Sequence, residues 1–136
     1  MSKFTARWTG GFRFEHRSAT GHDLVTDAPE AVGGTDTAAT PMELIVHGLI
    51  GCTGVDVASI LQRMRQPLEE LEVTATVERS EDHPKIYTKI HVTYHVKGDI
   101  PAAKIEHAVE LSEGTFCSVS AMLRDPVEIT SEIVQF

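Results

Sequence analysis

The feature that most constrains this chain is one apolar stretch that reads as a single long helix. Thr40 stands as its N-cap, Pro41 takes the first helical position and Glu43 lies three residues after the cap. That is a capping box, with proline where its missing N–H costs nothing. Leu44, Ile45, Val46, Leu49, Ile50, Val55, Val57, Ala58, Ile60 and Leu61 follow and cover nearly the whole circumference. The spacing predicts a helix to about Arg65, stopped by Pro67. A helix apolar on all sides is expected to be buried. Gly48, Gly51 and Gly54 inside it each cost roughly 1 kcal/mol relative to alanine. Their spacing of three sets them on one stripe, where another backbone is expected to come close. From Leu44 to Leu61 the stretch is interrupted by His47, Asp56 and these glycines, and it reads as too short for a membrane span.

Strands are expected on both sides of that helix. Phe4, Ala6 and Trp8 alternate with polar residues, Gly10-Gly11 offers a tight hairpin turn, and Phe12 and Phe14 resume the alternation. A further turn near Thr20-Gly21 leads to a short strand around His22 to Thr26. Asp27 to Ala39, rich in Ala, Gly and Thr, reads as a mobile loop. Beyond the helix, Leu71, Val73, Ala75 and Val77 alternate with Glu72, Thr74, Thr76 and Glu78. Ile86, Ile90, Val92, Tyr94 and Val96 mirror them after a polar turn. One face is buried and one wet, as in an antiparallel hairpin. A second helix is expected from about Pro101 to Gly114, a short one from about Cys117 to Arg124, and a last strand from Val127 to Phe136. The fold class is therefore α+β, ordered β-β-β-α-β-β-α-α-β around an antiparallel sheet. With 136 residues, 41% of them apolar, residues 1–136 are read as one domain.

Charge and cysteine usage narrow the function. The net charge of −8 argues against nucleic acid and anionic membrane as partners, since both would be repelled. Met1 to Arg13 has no apolar signal region, and two cysteines do not make a secreted disulfide framework. The expectation is a cytoplasmic protein with reduced thiols. Cys52 lies mid-helix among Gly48, Gly51, Thr53 and Gly54, where another element can approach its sulfur. Cys117 opens a short helix, whose backbone amides can hydrogen-bond a thiolate. Against both stands the plain alternative of cysteine as a small buried hydrophobe. Asp56, one turn after Cys52, reads as structural, because an ionised carboxylate there disfavours a thiolate. Seven histidines suggest metal, but His91 and His95 sit about 13 Å apart on one strand. No compact ligand spacing is present, and no metal or other cofactor is assigned.

Two segments carry a family resemblance. Thr-Pro-Met-Glu-Leu with Gly-Cys-Thr-Gly-Val-Asp-Val (Thr40 to Val57) resembles the first-cysteine helix of the OsmC/Ohr superfamily. Thr-Phe-Cys-Ser-Val-Ser (Thr115 to Ser120) resembles its second-cysteine motif. The order and interval match as well, so the resemblance covers essentially the whole chain and is closest to the YhfA-like branch. It implies an intertwined homodimer and a thiol peroxidase acting on organic hydroperoxides. Cys52 would be the peroxidatic and Cys117 the resolving residue, with a dithiol reductant such as a lipoylated protein and no prosthetic group. Helix position alone favours a thiolate at Cys117; the resemblance makes Cys52 the attacker. The family's thiol-activating glutamate directly follows the helix-opening proline and pairs with an N-terminal arginine. Met42 stands at that place here, leaving Glu43 with Arg13 or Arg17 as the candidates. The alternative function is a non-catalytic dimeric binding or redox-sensing module that keeps the fold.

Overall fold

The computed structural model describes residues 1–136, which divide into two compact units, Met1–Val46 and His47–Phe136. In the first, β1 (Thr5–Gly10), β2 (Arg13–Arg17) and β3 (Asp23–Thr26) form an antiparallel sheet in that order. The β1–β2 turn falls one residue later than the alternation suggests. Gly10 pairs with Arg13, so Gly11 and Phe12 make the turn, and Phe12 is not on the return strand. Gly11, at φ 56, supplies the left-handed backbone that this turn needs.

The expected mobile loop is instead tied down. Asp27 is buried, and its carboxylate accepts from the Ala28 amide (2.7 Å), the Thr35 hydroxyl (2.7 Å) and both the amide and hydroxyl of Thr37 (3.0 and 2.7 Å). One short side chain thus organises ten residues of irregular chain. The two threonine hydroxyls, then the two amides, hold its pKa far below the usual carboxylate range. Counting small polar residues cannot reveal this, because a loop and a carboxylate-centred knot share the same composition.

Helix α1 (Pro41–Arg63) starts as expected. Thr40 Oγ1 accepts from the Glu43 amide (3.2 Å) while Glu43 Oε1 accepts from the Thr40 amide (2.9 Å). It ends at Arg63 rather than Arg65, which adopts a left-handed φ of 55. At 23 residues, with a mean hydropathy of 1.8 over an 18-residue window, the helix is long and apolar enough to cross a membrane, so the length argument against a span fails. One stripe of it, Leu49, Thr53, Val57 and Leu61, is fully buried. It is not buried all round, since Val55 is 68% exposed. Nor does any backbone of this chain approach the glycines, because a Cβ at Gly48 or Gly51 would meet nothing within 4 Å.

The second unit continues α1 into a sheet of β4 (Glu70–Arg79), β5 (Tyr87–Lys97) and β6 (Glu128–Gln135), with β5 central. β4 and β5 pair antiparallel, Val73 opposite Tyr94 and Leu71 opposite Val96. A register shift beside Arg79 buries Tyr87 where the alternation pointed to Ile86. β6 runs parallel to β5, so the sheet is mixed rather than antiparallel. A parallel neighbour demands a crossover, and α2 (Ala102–Leu111) and α3 (Ser118–Leu123) supply it. Ile90, Val92, Tyr94 and Val96 of β5 form the core with Ile105 and Ala108 of α2 and the α1 stripe. α2 stops at Leu111, before the expected Gly114, and the chain continues as a π-helical turn from Ser112 to Phe116.

Candidate active site

The π turn delivers the site. Wider than an α turn, it adds a residue per rotation and re-aims the side chains that follow. Ser112, fully buried, donates its hydroxyl to Asp56 Oδ2 on α1 at 2.9 Å, and its carbonyl accepts from the Cys117 amide at 2.7 Å. Cys117 is thereby fixed as the N-cap of α3, its sulfur accepting from the Ser120 amide at 3.3 Å. The sulfurs of Cys52 and Cys117 and a carboxylate oxygen of Asp56 all lie within 4.8 Å of one another. Both thiols are free.

The two sulfurs differ in access and surroundings. Cys117 is 3% exposed, whereas Cys52 is half-buried. Burial pushes the Cys52 thiol up; contact with Cys117 and the charge of Asp56 push the same way, and the Val119 amide, donating to its sulfur, pulls it back. Within this unit Cys52 therefore rests as a thiol. An arriving electrophile meets Cys52 first, with Cys117 next to it. Joining the sulfurs at the disulfide length of about 2.05 Å needs a movement of less than about 3 Å, the side chains swinging together.

Behind Cys117 lies a polar group that the sequence reading missed. Tyr94 donates its hydroxyl to Glu113 Oε1 (2.9 Å), and Ser131 donates to Glu113 Oε2 (3.2 Å). Thr53, beside Cys52, donates its hydroxyl back to the Leu49 carbonyl of its own helix at 3.2 Å. Desolvation, then the Glu113 charge, raises the Tyr94 pKa far above its ordinary value, so the phenol stays a donor. A polar Ser-Glu pair five and four residues before a cysteine was the available signal. Only the π turn turns Ser112 toward α1 and Glu113 toward β5.

Arg13, Arg17 and Glu43, the candidate thiol-activating residues, all lie in the first unit. Arg13 donates to the Thr37 hydroxyl, Arg17 pairs with Asp23 at 3.0 Å, and Glu43 closes the capping box. The histidines of β5 also have strand partners: His91 contacts Thr130 (2.6 Å) and Glu132 (3.2 Å), and His95 contacts Thr74 (3.4 Å). The compact set of potential metal ligands is instead Cys52, Asp56 and Cys117. Sequence spacing hid it because Cys117 arrives from another element.

Residues 34–132 match the family described as OsmC-like protein. The chain belongs to that family. It is 38% identical to Protein YhfA of Escherichia coli (strain K12) over 125 residues, covering 91% of this chain and 90% of that one. Among solved structures, a hypothetical protein from Aquifex aeolicus VF5 superposes with a TM-score of 0.84 at 28% identity, covering 100% of this chain and 98% of the other. An organic hydroperoxide resistance protein from Elizabethkingia anophelis shares the fold, with a TM-score of 0.75 at 19% identity over 100% and 98% of the two chains. The OsmC fold and the two neighbouring cysteines within it are thus established together.

Proposed function

We propose that this OsmC-family chain is a thiol-dependent reductase of organic hydroperoxides. The observation that carries the reading is the pair of free thiols, one half-buried and one buried, within 4.8 Å of each other. The Cys52 thiol loses its proton and attacks the terminal oxygen of the hydroperoxide. The O–O bond breaks, the alkoxide takes up a proton equivalent to the one the thiol released and leaves as the alcohol, and Cys52 becomes a sulfenic acid. The Cys117 thiol then attacks that sulfur, forming the disulfide and releasing water. A dithiol, such as a lipoylated protein, reduces the disulfide and is itself oxidised.

The groups around Cys52 in its own unit disfavour the thiolate, so its activation calls for a cation. Arg13 or Arg17, with Glu43, fills that role in this reading, in a homodimer held in the cytoplasm, where thiols are kept reduced. Exposed apolar residues support the dimer: Val55 on α1, Phe116 beside Cys117 and Met122 on α3 all face outward. The description of a fold relative as an organic hydroperoxide resistance protein points to the substrate class.

A second reading, a non-catalytic binding or redox-sensing dimer, draws on the raised Cys52 pKa and on Met42 next to the helix-opening proline. Titrating the reduced protein with cumene hydroperoxide and with hydrogen peroxide separates the two. Loss of two thiols per chain, far faster with the organic peroxide, supports the reductase. Thiol loss no faster than that of free cysteine overturns it.

A further inference from the structure

We infer that Cys52, Cys117 and Asp56 form a binding site for one thiophilic divalent cation of the zinc type. Zinc takes thiolate sulfur at about 2.3 Å and carboxylate oxygen at about 2.0–2.2 Å, in a tetrahedron. Donors arranged so lie roughly 3.5–3.8 Å from one another. Here the three donor atoms are all within 4.8 Å, so a contraction of about 1 Å brings them to bonding distance. The half-buried side of Cys52 leaves the fourth position to water.

The support around the donors fits the same use. A ligating carboxylate is normally itself hydrogen-bonded, and Ser112 donates to Asp56 Oδ2 at 2.9 Å. The Ser112 carbonyl also fixes the Cys117 amide, so one buried residue braces two of the three ligands. Two sulfurs and a carboxylate packed together repel one another once charged; a divalent ion among them turns that repulsion into attraction. Binding breaks two S–H bonds, forms two S–metal bonds and releases two protons to solvent. It also keeps the sulfurs from pairing, so the metal competes with the disulfide.

Metal binding by these three side chains does not depend on peroxidase activity. Reduced full-length protein is titrated anaerobically with Co2+, whose thiolate complexes absorb by charge transfer. The expected result is one equivalent per chain with a sulfur-to-cobalt band that Zn2+ bleaches. Cys52→Ser removes most of the band, and Asp56→Asn weakens binding by about ten-fold or more. Blocking Cys52 of the unaltered chain with N-ethylmaleimide also abolishes the band, which covers variants that fail to fold. No band, a band that survives the block, or an unchanged affinity in Asp56→Asn overturns the site.

Discussion

The Ser112 hydroxyl donates to the Asp56 carboxylate at 2.9 Å, fastening the π turn that precedes Cys117 to the helix that carries Cys52. This bond joins residues 56 positions apart and sets the distance between the two thiols. Ser112→Ala leaves a partly buried carboxylate without its donor, and a lost bond of this kind costs about 1–2 kcal/mol. Urea denaturation of the reduced proteins should show the loss as a lower midpoint, with little change in slope.

Replacing either thiol should stop the proposed reaction at a different stage. Cys52→Ser should abolish rapid reaction with cumene hydroperoxide. Cys117→Ser should still react once, leaving a sulfenic acid that dimedone traps and mass spectrometry detects on Cys52. Equal reactivity of the two variants would refute the assignment of roles.

The raised Cys52 pKa gives a direct pH test. Burial, Cys117 and Asp56 all favour the thiol, so alkylation by iodoacetamide should rise with pH, and to a higher midpoint once the proposed activating arginine is removed in Arg13→Ala or Arg17→Ala. Removing the Asp56 charge in Asp56→Asn takes away a repulsion, and the midpoint should move down. A midpoint that stays put or rises would show that the carboxylate does not act on that sulfur.

Asp27 predicts a stability change with the opposite sense of pH. Its folded pKa is depressed, so its contribution is full above the unfolded value of 3.8 and is lost as pH falls through the folded value. Asp27→Asn should therefore lower the urea midpoint at pH 7, and the gap from the unaltered protein should narrow steadily below pH 3.8. A gap that does not change with pH would mean that the hydroxyls and amides bind the amide side chain as well as the carboxylate.

Periodicity made much of the fold readable. The alternation in β4 and β5 pairs Val73 with Tyr94, and the Thr40–Glu43 box marks the start of α1. The direction of β6 was not readable, because alternation is identical for parallel and antiparallel neighbours. Burial of α1 was overestimated, since apolar residues such as Val55 read alike whether this chain covers them or leaves them exposed. Both cysteines of the site were legible from their local motifs. Ser112, Glu113 and Tyr94 were not, because a π turn has no sequence period and three elements must meet before those side chains do.

The place of Cys117 on the crossover between β5 and β6 has a mechanical consequence. A bond from its sulfur to that of Cys52 would close a ring of chain containing all of β4, β5 and α2. Closing a loop of this size restricts the unfolded chain by an amount worth on the order of 4 kcal/mol. Each oxidation would thus staple the larger unit shut and each reduction release it, so the electron count of two sulfurs would be written into how hard the chain is to unravel.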